Sequence, residues 1–346
     1  MRVYIENIKI VAENILKKIG VPVEQAKIIV DTIEYAHLTN KGTHGIGRLP
    51  IYVRKIKEGL MSAETIMDLI NETSVISHYN ANNGFGQVAA YIGMNTAIKK
   101  AKENGIAAVG IRCSNNFGTA GYFVKMAAKE NMIGFIFSNS SPAIAPTGGS
   151  KPIFGTNPIA IGFPGGNNKP LVILDLATSN AARGKIRLAA ANGQSIPANW
   201  ALDAGGQPTT DPNEALKGTM IPIGGYKGYG LSLVVDVIAG LLTGAAFGGN
   251  VKPLNHKDEI SNYGHLMIAL DIEKFQDLNT FLNNMDELTQ NVKACGEEGK
   301  IFMPGEKAYI FNKNTQGIVN VSDKQIEEIN TLSKNMGLLY KIKSVL

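Results

Sequence analysis

The 346-residue chain is poor in the residues that mark secreted or metal-built proteins. Cysteine occurs twice, at Cys113 and Cys295, far apart and in neither metal nor redox spacing. That argues against a disulfide framework and for a reducing compartment. Histidine occurs five times, and His37, His78, His256 and His265 stand in no ligand spacing with one another or with acids, so no metal is expected. Charged residues make up only 18%, and the net charge of +5 is scattered, with no basic run longer than Lys17-Lys18 or Lys99-Lys100. A nucleic-acid footprint is therefore missing, although a weak positive field suits anionic ligands. Three familiar signatures are absent as well: no G-x-G-x-x-G follows a strand, no G-x-x-x-x-G-K-[ST] loop occurs, and no G-x-S-x-G elbow presents a serine.

Long apolar runs are almost absent too. The exception is GLSLVVDVIAGLLTGAAFGG, Gly230 to Gly249, which approaches the length of a bilayer span. Asp236 near its middle would be costly in lipid, so the expectation is a helix apolar on all sides and buried in a soluble core, with no membrane partner. The N-terminal MRVYIENIKIVAENILKKIG carries Glu6 and Glu13 inside its apolar period, unlike a secretory leader, and a cytoplasmic location is expected.

What is present is an ordinary globular composition, 44% hydrophobic, long enough for one large or two interleaved domains. Apolar spacing predicts helices over Ile5 to Ile19, from Pro22 onward, over about Leu49 to Lys57, over the QVAAYIGMNTAIKKAKEN segment stopped by Gly105, and over about Phe275 to Cys295 and Asp323 to Asn335. Strands are expected at VISHYN, IAAVGIRC, MIGFIFSNS, NPIAIGFP, PLVILDLAT and HLMIALDI. This is a sheet covered by helices, an α/β or α+β arrangement. The C-terminal helix is placed to pack back on the N-terminal ones.

Four stretches carry chemistry. In GTHGIGRLPIYV, His44, Arg48 and Tyr52 recur every four residues, so a helix would align them, loosely at its glycine-rich start. Arginine grips a carboxylate through two parallel charge-assisted bonds, and a histidine beside it is a general acid or base near neutral pH, with Thr43 able to orient the ring. The same residues could instead cap a helix and pair with an acid. CSNNFGTAGYF runs from a strand end into a helix start, which suits an anion, or Asn115 and Asn116 are plain turn residues. In LDLATSNAARGKI, Asp175 ends a strand, where it could accept from a ribose hydroxyl, and Thr178 or Ser179 is expected to cap a helix. IGGYKGYGLSLVVD sets glycines around Lys227, where backbone and a point charge could approach a pyrophosphate, or where a tight turn simply feeds a helix. The residues alone point to an enzyme acting on a small carboxylate anion.

Taken in order, GTHGIGRLPIYV, CSNNFGTAGYF, GTNPIAIGFP, DLATSNAARGKI, PTTDP, GGYKGYGLSLVVDVIAGLLTG and the Pro304–Glu306 PGE resemble the malate/L-lactate dehydrogenase family of the second type. That family includes L-sulfolactate and ureidoglycolate dehydrogenases and a diketogulonate reductase. The resemblance implies NAD(P)-dependent hydride transfer between a 2-hydroxy acid and its 2-oxo acid on a non-Rossmann mixed-sheet domain, which accounts for the missing fingerprint. It also implies a homodimer. The domain division expected is a smaller, discontinuous helical domain of residues 1–72 plus about 300–346, and a cofactor-binding mixed-sheet domain of residues 73–299.

By the same resemblance Asp175, Leu176, Ala177, Thr178, Lys227, Gly228, Pro304, Gly305 and Glu306 fall in cofactor-binding segments, and His44, Thr43, Arg48 and Tyr52 at the substrate site. The chain departs from its relatives at Asn116, where many carry a proton-transferring histidine. An amide cannot serve as a base, which leaves His44 as the acid/base with Asn116 polarising the substrate oxygen, or an activity weakened or redirected. The ketimine-reductase branch reads A-H-G-D where this chain has Ala-Arg-Gly-Lys at Ala182–Lys185, so reduction of a cyclic imino acid is the secondary expectation. No basic cluster in the sequence marks a 2′-phosphate pocket, so NAD is the expected dinucleotide, with NADP left open.

Overall fold

A computed structural model describes residues 1–345. The chain opens with a short strand, Arg2–Tyr4 (β1), and two helices, Ile5–Lys18 (α1) and Val23–Leu38 (α2). Gly20, at φ +90°, turns the chain between them. Two single 3₁₀ turns follow, Gly42–His44 and Ile46–Arg48, and then Leu49–Lys57 (α3), whose first turn contains Pro50, where the missing N–H costs nothing.

The middle of the chain builds one sheet. Its parts are Asp68–Glu72 (β2), Ile76–Asn80 (β3), Gly86–Asn104 (α4), Ile106–Ser114 (β4), Gly121–Lys129 (α5), Met132–Ser138 (β5), Ile159–Phe163 (β6) and Val172–Leu176 (β7). A small module comes next: Arg183–Ala191 (α6), Ala201–Leu202 (β8), Pro212–Lys217 (α7) and Thr219–Met220 (β9). Tyr226–Val235 (α8) continues as a π turn over Asp236–Leu241, and the long strand Tyr263–Asp271 (β10) returns to the sheet. Leu278–Ala294 (α9), Glu306–Thr315 (α10), Ile318–Asn320 (β11) and Asp323–Asn335 (α11) complete the order.

The seven-stranded sheet runs β2-β3-β4-β10-β5-β6-β7, and only the β3–β4 pair is parallel. This is a mixed α/β sheet, not a doubly wound parallel one. Met267 of β10 stands opposite Val109 on one side and Ile136 on the other, all fully buried under α4 and α5. Against the opposite face the π turn approaches so closely that a Cβ at Gly264 would lie 1.7 Å from the Ala239 carbonyl oxygen. Strand β2 joins the sheet slightly ahead of residue 73. A second core joins the chain ends: Ile8, Ile15, Ile29 and Leu49 pack with Val319, Ile326, Ile329 and Ile342.

Two expectations need correction. The Gly230–Gly249 helix is not buried on all sides: Val235, Asp236 and Ala239 face the sheet, whereas Val234, Leu241 and Leu242 are 50%, 50% and 66% exposed. Its apolar surface is wider than one chain covers. Neither Thr178 nor Ser179 caps a helix; α6 starts at Arg183 with no side-chain cap, Thr178 accepts from the Ser232 hydroxyl at 2.7 Å, and Ser179 donates to the Ala181 carbonyl at 2.7 Å. Among the described residues no helix is long and apolar enough to cross a membrane.

Candidate active site

The GTHGIGR stretch folds as a clamped loop. Buried His37, from the last turn of α2, accepts the Ile46 N–H on its Nε2 at 3.1 Å. Gly45 lies so close beneath that ring that a Cβ there would sit 2.3 Å from Nε2. Burial lowers the His37 pKa to about 4, which keeps it the neutral acceptor this bond requires. The Arg48 Nε donates back to the Thr43 carbonyl at 3.0 Å. Arg48 makes no ion pair among the described residues, so its remaining donors are uncommitted.

His44 is half-buried on this loop, its Nδ1 3.1 Å from the Thr43 hydroxyl. Its pKa is lowered to about 3, first by burial and then by the Arg48 and Lys41 charges, so the ring is neutral near pH 7. With Nδ1 donating to Thr43, Nε2 presents a lone pair. The first turn of α6 closes the far side, with Gly184 against the Thr43 methyl.

Asn116 is linked to Tyr52 of α3 through the start of α4. Gly86 lies on the Asn115–Asn116 backbone, where a Cβ would meet the Asn115 carbonyl oxygen at 2.0 Å, and the next residue, Gln87, donates to the Tyr52 hydroxyl at 2.8 Å. The Asn116 Oδ1 accepts the Gly118 N–H at 3.1 Å, which leaves its Nδ2 as a donor. Tyr52, expected at the substrate site, is only 1% exposed and edge-on to Phe85. Tyr263, beside Ser141 and near Arg48, is a neighbour that spacing could not reveal.

The expected cofactor segments form a ridge. The Pro304 carbonyl accepts from the Ile173 N–H at 3.0 Å, and Gly305 packs against Ile173. Asp175, two residues on, forms an ion pair with Lys41 and accepts the Gly121 N–H at 2.9 Å. Leu176 and Ala177 lead from it to Thr178, whose carbonyl crowds buried Gly228, beside exposed Lys227. The Glu306 carboxylate accepts from Lys293 at 2.5 Å and from the Met303 N–H at 2.8 Å, and it lines a cavity of about 520 Å³ that adjoins a larger one through Lys169, Pro170, Leu171 and Met303.

Along this ridge opens a cavity of about 850 Å³, lined by Asp175, Pro304 and Gly305 together with Tyr35, Leu171, Ile173, Phe302 and Met303. It also gathers Lys41, Lys125, Lys169, Lys300 and Lys307. Most of these lysines lie too far apart in sequence to register there as a cluster. An apolar slot with cations along it fits the adenosine and phosphates of a dinucleotide. Two further residues were illegible in the sequence. His265 is fully buried between the Ser114 and Ser138 hydroxyls, 2.9 Å from each, and Lys55 donates to the Ser261 hydroxyl at 2.7 Å while burial lowers its pKa to about 8.

Comparison with known proteins shows the family of the whole chain. Residues 3–330 match the family described as malate/L-lactate dehydrogenase. The chain is 42% identical to the L-sulfolactate dehydrogenase of Methanothermobacter thermautotrophicus over 98% of both chains. It is 41% identical to the malate/(S)-sulfolactate dehydrogenase of Methanothermus fervidus, over 94% of this chain and 95% of that one. The solved sulfolactate dehydrogenase of Methanocaldococcus jannaschii superposes with a TM-score of 0.91 at 37% identity, covering 98% of each. Other relatives are named for NAD(+) or for NADP(+).

Proposed function

We propose that this chain, which belongs to the malate/L-lactate dehydrogenase family, transfers a hydride between a nicotinamide dinucleotide and a small 2-hydroxy acid of the malate, lactate, sulfolactate or ureidoglycolate kind. The observation that carries the reading is the pairing, on one clamped loop, of a neutral His44 with an Arg48 that has no carboxylate partner.

Arg48 grips the substrate carboxylate with the guanidinium edge left free by the Thr43 bond, which fixes C2 in the corner beside His44. In oxidation His44 Nε2 takes the hydroxyl proton while Nδ1–H holds Thr43; in reduction it returns that proton. The bound carboxylate offsets the Arg48 charge that depresses His44, so substrate itself raises the basicity of the ring. The Asn116 amide Nδ2 donates to the substrate oxygen and does not exchange a proton. When bound, the nicotinamide supplies hydride transfer at its C4. Asp175, Pro304 and Gly305 line the cavity open to the dinucleotide, Leu176–Thr178 and Lys227–Gly228 continue that wall, and Glu306 braces the turn at Met303.

The exposed apolar stripe of Val234, Leu241 and Leu242 supports a homodimer, since a second copy would cover it. The test of the reading is oxidation of NADH or NADPH in the presence of oxaloacetate, pyruvate, sulfopyruvate and oxalurate. Turnover with at least one is expected. Cofactor binding with no turnover on any would replace the enzyme by a binding protein.

A further inference from the structure

The 850 Å³ cavity carries more positive charge than the dinucleotide backbone needs. Five lysines and one carboxylate line it. Lys41 is matched by Asp175. Lys125 lies 5.2 Å over the Tyr35 ring, with Asp31 and Glu34 within its electrostatic reach, and Lys307 lies 4.8 Å over the Phe302 ring. Lys169, Lys300 and Lys307 make no ion pair among the described residues. A pyrophosphate brings about two negative charges, and Lys227 stands at the other end of the ridge to meet them. A phosphomonoester brings about two more.

The single carboxylate settles the sign of the preference. A site that selects an unphosphorylated ribose offers a free acid to the 2′-hydroxyl, an acid that also repels a 2′-phosphate. Among the described residues Asp175 is the only acid lining this cavity, where it is paired with Lys41 and accepts the Gly121 N–H; Asp286 and Glu306 line the adjoining cavity, Glu306 paired with Lys293. No unpaired acid lines the cavity among the described residues, and Lys169, Lys300 and Lys307, none of them ion-paired, are there to meet a phosphate. Leu171, Ile173, Met303 and Pro304 provide the apolar wall for the base.

We infer that this cavity binds the 2′-phosphorylated adenosine of NADP(H), with Lys169, Lys300 and Lys307 gripping the 2′-phosphate. The inference rests on the dehydrogenase reading and narrows its cofactor. It reverses the expectation of NAD.

The test is direct binding to the full chain at low salt, with NADPH and NADH followed by nicotinamide fluorescence, and adenosine 2′,5′-bisphosphate and 5′-AMP by calorimetry. NADPH should bind at least about tenfold more tightly than NADH, and the bisphosphate should exceed 5′-AMP similarly, because charge-assisted phosphate bonds are strong. Lys169→Gln, Lys300→Gln and Lys307→Gln should each reduce the NADPH-to-NADH affinity ratio, and the triple variant should bring it near one. Equal binding of NADH and NADPH by the wild type would overturn the inference and leave the dehydrogenase reading standing. A preference for NADPH that survives the triple variant, in protein with an unchanged circular dichroism spectrum, would place the phosphate elsewhere and also overturn it. Binding of neither dinucleotide would remove the dehydrogenase reading and the inference with it.

Discussion

The loop at residues 42–48 and the cavity between residues 168–175 and 300–312 treat charge in opposite ways. The loop is compact and its polar groups are committed: His37 holds the Ile46 N–H, Arg48 holds the Thr43 carbonyl, and Thr43 holds His44. Only the outer edge of Arg48 and one ring nitrogen of His44 are left for a ligand. The cavity is roomy and its cations are largely uncommitted, with a single carboxylate already neutralised. One region is preorganised for a small reacting molecule, where misplacement by an ångström costs rate. The other offers a charge field for a larger ligand that carries its own counter-charges. Lys41 joins them, since it lies between the His44 loop and the Asp175 wall.

The comparison predicts that the loop controls chemistry and the cavity controls affinity. The largest effect should follow His44→Ala, with kcat reduced by roughly 10²–10⁴ and dinucleotide affinity nearly unchanged. Steady-state kinetics beside fluorescence titration check both halves. A variant that kept wild-type kcat would take proton transfer away from His44. Gly45→Ala strikes the same loop without removing a reacting group. The new Cβ would meet His37 Nε2 at 2.3 Å, and relieving such overpacking costs about 1–3 kcal/mol. Chemical denaturation should show that loss, with kcat falling alongside. Arg48→Lys keeps the charge and loses the fork, so KM for the acid should rise roughly tenfold with a smaller change in kcat.

These two regions also differ in how far they could be read before the fold was known. The loop was legible because its parts are local: His44, Arg48 and the glycines fall within seven residues, and α3 begins at Leu49 as its spacing predicts. The clamp was not legible, because His37 acts across a chain reversal that only the packing of α2 creates. The cavity was illegible for a stronger reason. Its lysines come from a loop, from α5, from the β6–β7 turn and from the segment around α10, so no short window of sequence holds more than two of them, Lys300 and Lys307. The apolar run at Gly230 misled for the converse reason: hydropathy reports that a surface must be covered, not which chain covers it.

Acid should separate the two regions, by the smallest of these effects. The His37 pKa is about 4 in the fold, below the ordinary 6.5, because burial disfavours its charged form. The folded state therefore binds fewer protons than the unfolded one over that interval. The stability that neutral His37 contributes is fully present above pH 6.5 and is lost as the pH falls through about 4. His44 and His265, each at about 3, act in the same direction. The cavity makes none of its contacts through His37, so its grip on a dinucleotide should persist while the loop loosens. Hydrogen exchange at pH 5 against pH 7, corrected for intrinsic rates, should show the Ile46 amide losing protection first, with dinucleotide affinity changing less than about threefold. His37→Gln offers an amide oxygen that can still accept the Ile46 N–H but cannot titrate. That variant should flatten the pH dependence of Ile46 protection even where it lowers overall stability. If it leaves the slope intact, the acid-sensitive element of the loop is His44 rather than the clamp.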